Sequence, residues 1–179
     1  MRKFSALLGV AAAAVMITLA VTAMRPQAAG SYADDRSEIE DLQARYLFAL
    51  DFHDPELYST FTDDGILDVG SGEIKGREAI KQTIARMPQP AATPGLHAAV
   101  GRHNISNIAL KVDGNKATGR AYWFHYSNDN PKRAGVFDGF GHYEDDLVKV
   151  KGHWLFAKRR IYNENRDEWA YKGGKNPAW

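Results

Sequence analysis

The sequence predicts an α+β domain, and three observations carry that expectation. Helix-start signals fall between Ser37 and Met87, long alternating strand patterns follow from Leu96 onward, and two turn signals join those strands in pairs. With 179 residues and no visible repeat, the chain is sized for a single core. Hydrophobic residues make up 44% and aromatics 11%, enough to build that core without help from cross-links.

The elements follow in order. Ser37-Glu38-Ile39-Glu40 reads as a capping box, so the first helix is expected from about Glu38 to Asp51, with Ile39, Leu42, Tyr46, Ala49 and Leu50 as its apolar stripe. Asp54-Pro55 is a second helix start and predicts a short helix carrying Leu57, Tyr58 and Phe61. Asp63-Asp64-Gly65 is expected to end it. A first strand with Ile66, Leu67 and Val69 then leads to a Gly70-Ser71-Gly72 turn. Gly76-Arg77-Glu78 opens a third helix through Ile80 and Ile84 to about Met87, where Pro88, Pro90 and Pro94 make a loop. Four long strands follow: Ala99 to Val112, Lys116 to Ser127, Phe137 to Val150 and His153 to Tyr162. Asp113-Gly114-Asn115 and Lys151-Gly152 turn the first and second pairs into hairpins. The predicted order is helix, helix, strand, strand, helix and four antiparallel strands, a curved sheet packed on its helices.

The N-terminus carries an address. Met1-Arg2-Lys3 precedes an apolar run from Ser5 to Met24, and Val21-Thr22-Ala23 supplies small residues for cleavage, as in a secretory signal. As a helix the same run would measure about 30 Å, long enough to span a bilayer if retained. The expected division is a signal peptide at 1–23, or an uncleaved anchor, a linker at 24–36, the domain at 37–164 and an aromatic tail at 165–179. The domain is thus expected to work in the periplasm or outside the cell, touching membrane only through a retained N-terminal segment. Loss of Arg2 and Lys3 leaves it near neutral, which argues against nucleic acid as a partner. Cysteine is absent, so disulfides, thiolate metal sites and thiol nucleophiles are excluded.

Candidate chemistry concentrates in a few polar residues set among apolar ones. Tyr46 and Asp51 stand five residues apart on the first helix, with Asp51 at the rim of its apolar stripe. The bland reading of Asp51 is a solvated residue at a helix end; the functional one is a helix that roofs a pocket, with both side chains pointing in. His103 and His125 fall on strands. A buried histidine is more often a hydrogen-bonded core residue than a catalyst, but alternation places His103 with Ile105 and Asn107 on one face and His125 with Ala121 and Trp123. Two imidazoles and a carboxylate converging on an apolar cavity are the usual mark of a site. Metal is not expected, because there is no His-Glu-x-x-His run and His97 with His103 is weak ligand spacing. Gly70-Ser71-Gly72 lacks the pattern of a nucleophile elbow. Of Lys158-Arg159-Arg160, one strand register turns Arg160 inward.

Taken together, Tyr46 with Asp51, Arg102-His103-Asn104, the run Gly119 to His125 and Arg160-Ile161-Tyr162-Asn163-Glu164 resemble the SnoaL-like group of the nuclear transport factor 2 (NTF2) superfamily, over about Glu38 to Glu164. That resemblance implies a cone-shaped α+β fold, with a curved, mostly antiparallel sheet and three N-terminal helices around an internal cavity. The pattern resembles that of the group's bile acid 7α-dehydratase and of scytalone dehydratase. His125 stands where the first of these carries an acid, and Leu50 where the second carries a tyrosine. The implied activity is a cofactor-independent, dehydratase-like lyase acting on a small hydrophobic hydroxylated substrate. His103 would move the proton, Asp51 orient the imidazole, Tyr46 hydrogen-bond a carbonyl oxygen and His125 complete the relay. Arg160 would hold an anionic or carbonyl part of the substrate, and Trp123, Phe140 and Phe156 would wall the cavity. A non-catalytic binding protein and a ketone isomerase or cyclase are the alternatives. Tyr122, Phe124 and Tyr126, on the face opposite His125, suggest a homodimer.

Overall fold

The computed structural model describes residues 31–88 and 94–165. The signal or anchor segment, most of the expected linker and the tail aromatics Trp169, Tyr171 and Trp179 lie outside the described residues. Helix α1 (Tyr32–Asp51) leads through a short 3₁₀ helix (Pro55–Thr60) into β1 (Phe61–Asp68), β2 (Glu73–Lys75) and helix α2 (Arg77–Ala85). The strands β3 (Gly101–Asp113), β4 (Lys116–Ser127), β5 (Val136–Val150) and β6 (His153–Asn163) follow. They form one sheet in the order β2-β1-β6-β5-β4-β3, antiparallel throughout except for the parallel pair β1 and β6.

Helix α1 starts six residues before the position expected from Ser37. Its cap is Ser31, whose hydroxyl accepts from the Asp34 amide at 3.2 Å while the Asp34 carboxylate accepts from the Ser31 amide at 3.0 Å. Ser-x-x-Asp makes the same reciprocal bonds as the Ser-x-x-Glu motif, and Glu40 instead pairs with Arg36 one turn away. The extra turn is tied to the sheet. Asp35 accepts from Lys149 Nζ at 2.6 Å and from the Trp154 indole at 2.9 Å. Burial alone would raise the Asp35 carboxyl, but hydrogen bonds from Lys149 and Trp154 outweigh it and hold it below its ordinary value. Its contribution to stability is therefore complete above about pH 4 and is lost as acid protonates the folded state. Asp35→Asn should lower stability by a constant amount from neutral pH down to about pH 5, with the gap to wild type closing below about pH 4 in denaturant titrations. A gap that persists unchanged at pH 3 would contradict this role for the charge.

Asp63-Asp64-Gly65 does not end the second helix. These residues lie inside β1, where the pairing with β6 slips between Phe61 and Ile66. Three further bulges bend the sheet and change which residues face the helices. In β3 the extra residues lie between Ser106 and Ala109, so the inward set changes from His103 and Ile105 to Leu110 and Val112. Asn107, expected beside His103, sits in this bulge, exposed and at φ 52°. In β5 the bulged residue is Asp138, and in β6 it is Ala157, which moves the inward positions from Trp154 and Phe156 to Arg159 and Ile161.

The core gathers Ile39, Leu42, Tyr46 and Leu47 of α1 with Leu57, Phe61, Ile80, Trp123, Tyr143, Leu147, Trp154 and Phe156. At its centre lies a charge. Arg159 is fully buried and forks onto Asp145, its cross-strand neighbour, with Nε to Oδ1 at 2.9 Å and Nη2 to Oδ2 at 2.8 Å. Gln43 bridges the pair, donating to Asp145 at 2.8 Å and accepting from Arg159. The guanidinium carbon lies 4.0 to 4.3 Å from the ring centres of Phe156, Tyr143 and Tyr46. The opposite face of the sheet carries a cluster of Phe124, Tyr126, Phe137 and Phe140, all but Phe124 well exposed, and the exposed Tyr122.

Candidate active site

The site forms where the end of α1 meets the start of β3. As an edge strand, β3 presents backbone groups with no strand partner. Asp51, the last residue of α1, meets one of them: its two oxygens accept from the His103 amide at 3.1 and 3.0 Å. Its Oδ1 also lies 2.6 Å from Nδ1 of the same residue. A carboxylate oxygen accepts the hydrogen bond here, so this contact assigns a proton to Nδ1 of His103. The Asp51 side chain is 5% exposed and the His103 side chain 23%. The chain leaves α1 through Phe52 and then His53, which takes φ 53°, a conformation that asparagine and glycine adopt more readily. Its Nδ1 is buried without a hydrogen-bond partner among the described residues.

His125 is the direct cross-strand partner of His103, and the two rings stand 4.3 Å apart. Its Nδ1 lies 2.6 Å from Oδ1 of Asp138, whose Oδ2 accepts from the Ser127 hydroxyl at 2.5 Å. Burial would raise the Asp138 carboxyl, but hydrogen bonds from Ser127 and His125 hold it below its ordinary value, so it is a carboxylate at neutral pH. Around these groups lies a cleft of about 340 Å³. Leu50, Met87, Pro88, Ala99 and Val100 give it apolar walls, and Asp51, His53, His103, His125, Ser127, Asp129 and Asp138 its polar ones. Among the described residues lining it there is neither lysine nor arginine.

Of the residues singled out from the sequence, the structure brings Asp51, His103 and His125 together. Trp123 lies below them, its ring 6.0 Å from that of His103 and its N–H donated to the Tyr162 carbonyl at 3.1 Å. Tyr46 and Phe156 are elsewhere. Both pack in the core around Arg159, where burial raises the Tyr46 phenol above its ordinary range against the pull of the guanidinium. Arg160 is on the far face, 2.8 Å from Asp68, because the Ala157 bulge gives the inward position to Arg159. Phe140 also points away, 42% exposed and stacked on Phe137. Its neighbours Gly139 and Gly141 take the inward positions, and inward glycines leave no apolar signal to read.

Sequence reasoning missed Ser127, Asp138 and His53. Ser127 was within reach, since it lies two residues after His125 on the same strand. Asp138 was not, because only the bulge brings it to that side.

The described fold is the NTF2-like, cystatin-like one, an open curved sheet with its helices gathered against one face. The model of the SnoaL-like domain matches residues 31–160, and the chain belongs to that family. A protein of unknown function from Mycobacterium tuberculosis is 29% identical, with a TM-score of 0.61 over 72% of this chain and 76% of its own. A protein from Novosphingobium aromaticivorans, described as a candidate scytalone dehydratase, is 26% identical, with a TM-score of 0.55 over 70% and 80%. ActVI-ORFA from Streptomyces coelicolor, 19% identical with a TM-score of 0.61 over 73% and 98%, shares the fold. Comparison with curated proteins finds no match.

Proposed function

We propose that this protein is a cofactor-independent lyase that removes water from a small, neutral, hydroxylated substrate. The observation that carries the reading is the Asp51–His103 pair, its carboxylate buried and its imidazole part-exposed, joined at 2.6 Å on the wall of a cleft with apolar sides. With the Nδ1 proton committed to Asp51, Nε2 can accept a proton from a carbon next to a carbonyl, and the carboxylate then stabilises the imidazolium that forms. Proton transfer of this kind requires no redox partner. The candidate scytalone dehydratase among the structural relatives supports the dehydratase assignment.

The lining also narrows the substrate. Asp129 is paired with Arg133 at 3.3 Å, but Asp51 and Asp138 line the cleft with no lysine or arginine among the described lining residues, which disfavours a free carboxylate or phosphate and points to a neutral molecule. A cleft of about 340 Å³ lies at the small end of ligand sites and suits a compact ring system. Arg160 and Tyr46, buried or turned away, do not reach such a ligand.

The test is incubation of the pure protein with a panel of small hydroxylated ketones and aromatics, followed by mass spectrometry. Loss of one water, abolished in His103→Gln, is the expected result. Conversion at unchanged mass would identify an isomerase or cyclase, and recovery of unconverted ligand a binding protein; either would overturn the lyase assignment.

A further inference from the structure

His125 has a carboxylate of its own, and the local structure is shaped to supply it. In a regular strand Asp138 would face away from Gly139, the partner of His125; the bulge puts both residues on the same side. There Asp138 meets His125 Nδ1 at 2.6 Å, and Ser127 holds its other oxygen. Gly101 completes the arrangement. A Cβ at that position would collide with Nε2 of His125 and lie 2.8 Å from its Cε1, so only glycine there leaves room for the ring as Asp138 holds it. A bulge, a serine and a glycine on three strands thus serve one imidazole orientation. The result repeats the Asp51–His103 pair, with a carboxylate on Nδ1 in both and the rings 4.3 Å apart.

We propose that Asp138 is the positioning residue of a second dyad, Asp138–His125, and that elimination is divided between the two imidazoles. This rests on the lyase reading above. In the step, His103 Nε2 takes the proton from carbon and the C–H electron pair becomes the new C=C bond. The C–O bond breaks with its pair going to oxygen, which takes the Nε2 proton of a doubly protonated His125 and leaves as water, while the Nδ1 proton of His125 stays on its bond to Asp138. His103 then carries the proton that His125 has given up, and exchange with solvent restores the starting state. Asp138 touches no reacting atom; it sets which nitrogen of His125 faces the cleft.

Nitrogen-15 NMR of the histidine-labelled full chain tests the positioning without a substrate, recorded along a pH series up to the neutral form of each ring. In the wild type both His103 and His125 should show the Nδ1–H tautomer. Asp138→Ala should move His125 to the Nε2–H form, favoured by free imidazole, and leave His103 unchanged. Gly101→Ala, which keeps the carboxylate but crowds the ring, should disturb His125 alone in the same way. With a substrate from the screen, Asp138→Ala should lower kcat by about 10- to 10²-fold with little change in KM. An unchanged His125 tautomer in Asp138→Ala would overturn the proposal, as would simultaneous loss of both tautomers, which marks general collapse. A clean His125 switch in a protein that turns over nothing on the panel would leave the positioning standing and remove the elimination instead.

Discussion

Replacing Arg159 by methionine is expected to destabilise the fold by about 3–5 kcal/mol, the largest single-residue effect on stability in the molecule. The guanidinium is fully buried, and its fork onto Asp145 satisfies a carboxylate that is just as buried. Burial on its own would lower the arginine's pKa, but Asp145 keeps it above the ordinary value, so the charge persists in the core. Methionine keeps much of the packing against Tyr46, Tyr143 and Phe156 and abandons Asp145, whose ion pair among the described residues is with Arg159, together with Gln43. Most of the loss therefore comes from the stranded carboxylate, which has a testable corollary. Adding Asp145→Leu to Arg159→Met should recover part of the stability, because the second substitution removes the group left unpaired. Urea denaturation of the two single variants and the double variant measures this. A double variant less stable than Arg159→Met by the full cost of Asp145→Leu would show that the two residues act independently.

Asp51→Asn is expected to lower kcat by about 10²- to 10⁴-fold while the protein stays folded. The carboxylate has two tasks, and asparagine separates them. Its amide oxygen still accepts from the His103 backbone amide, so the join between α1 and β3 should lose no more than about 1–3 kcal/mol. It has one acceptor oxygen where the aspartate had two, and no charge to stabilise an imidazolium. With that oxygen kept on the backbone amide, its NH₂ faces Nδ1 and favours the tautomer with the proton on Nε2, the wrong nitrogen for a base. Melting curves alongside the kinetics separate the effects. A variant that melts like wild type and retains near-normal kcat would confine Asp51 to a structural role.

How much of this was legible in the chain depends on where the strands run regularly. Helix order and the β3–β4 and β5–β6 hairpins followed from caps, prolines and turn residues, whose physics is local. The convergence of Asp51, His103 and His125 was legible because β3 and β4 pair without a break from Gly101 to Ser106, so alternation holds across the site. Where a bulge intervenes, alternation misleads. Ala157 gives Arg159 the inward place expected for Arg160, and Asp138 enters the site through an extra residue that no periodicity announces. Phe140 misled for another reason. Gly141 holds an inward position where a Cβ would collide with the Tyr162 carbonyl, so the inward side shows no apolar side chain and Phe140 beside it drew attention to the wrong face. At the N-terminus two motifs competed, and the tertiary contacts of Asp35 with Lys149 and Trp154 accompany the earlier one.

The central claim is that Asp51 and His103 act as one unit on the substrate, and a double-mutant cycle in kcat tests it most directly. Asp51→Asn, His103→Gln and the double variant are compared on the substrate that the water-loss screen identifies, each with its melting temperature. If the two residues serve the same proton transfer, the double variant should be little slower than the slower single one, because one step cannot be lost twice. Multiplying losses, or a His103→Gln protein that melts normally and keeps near-normal kcat, would contradict it.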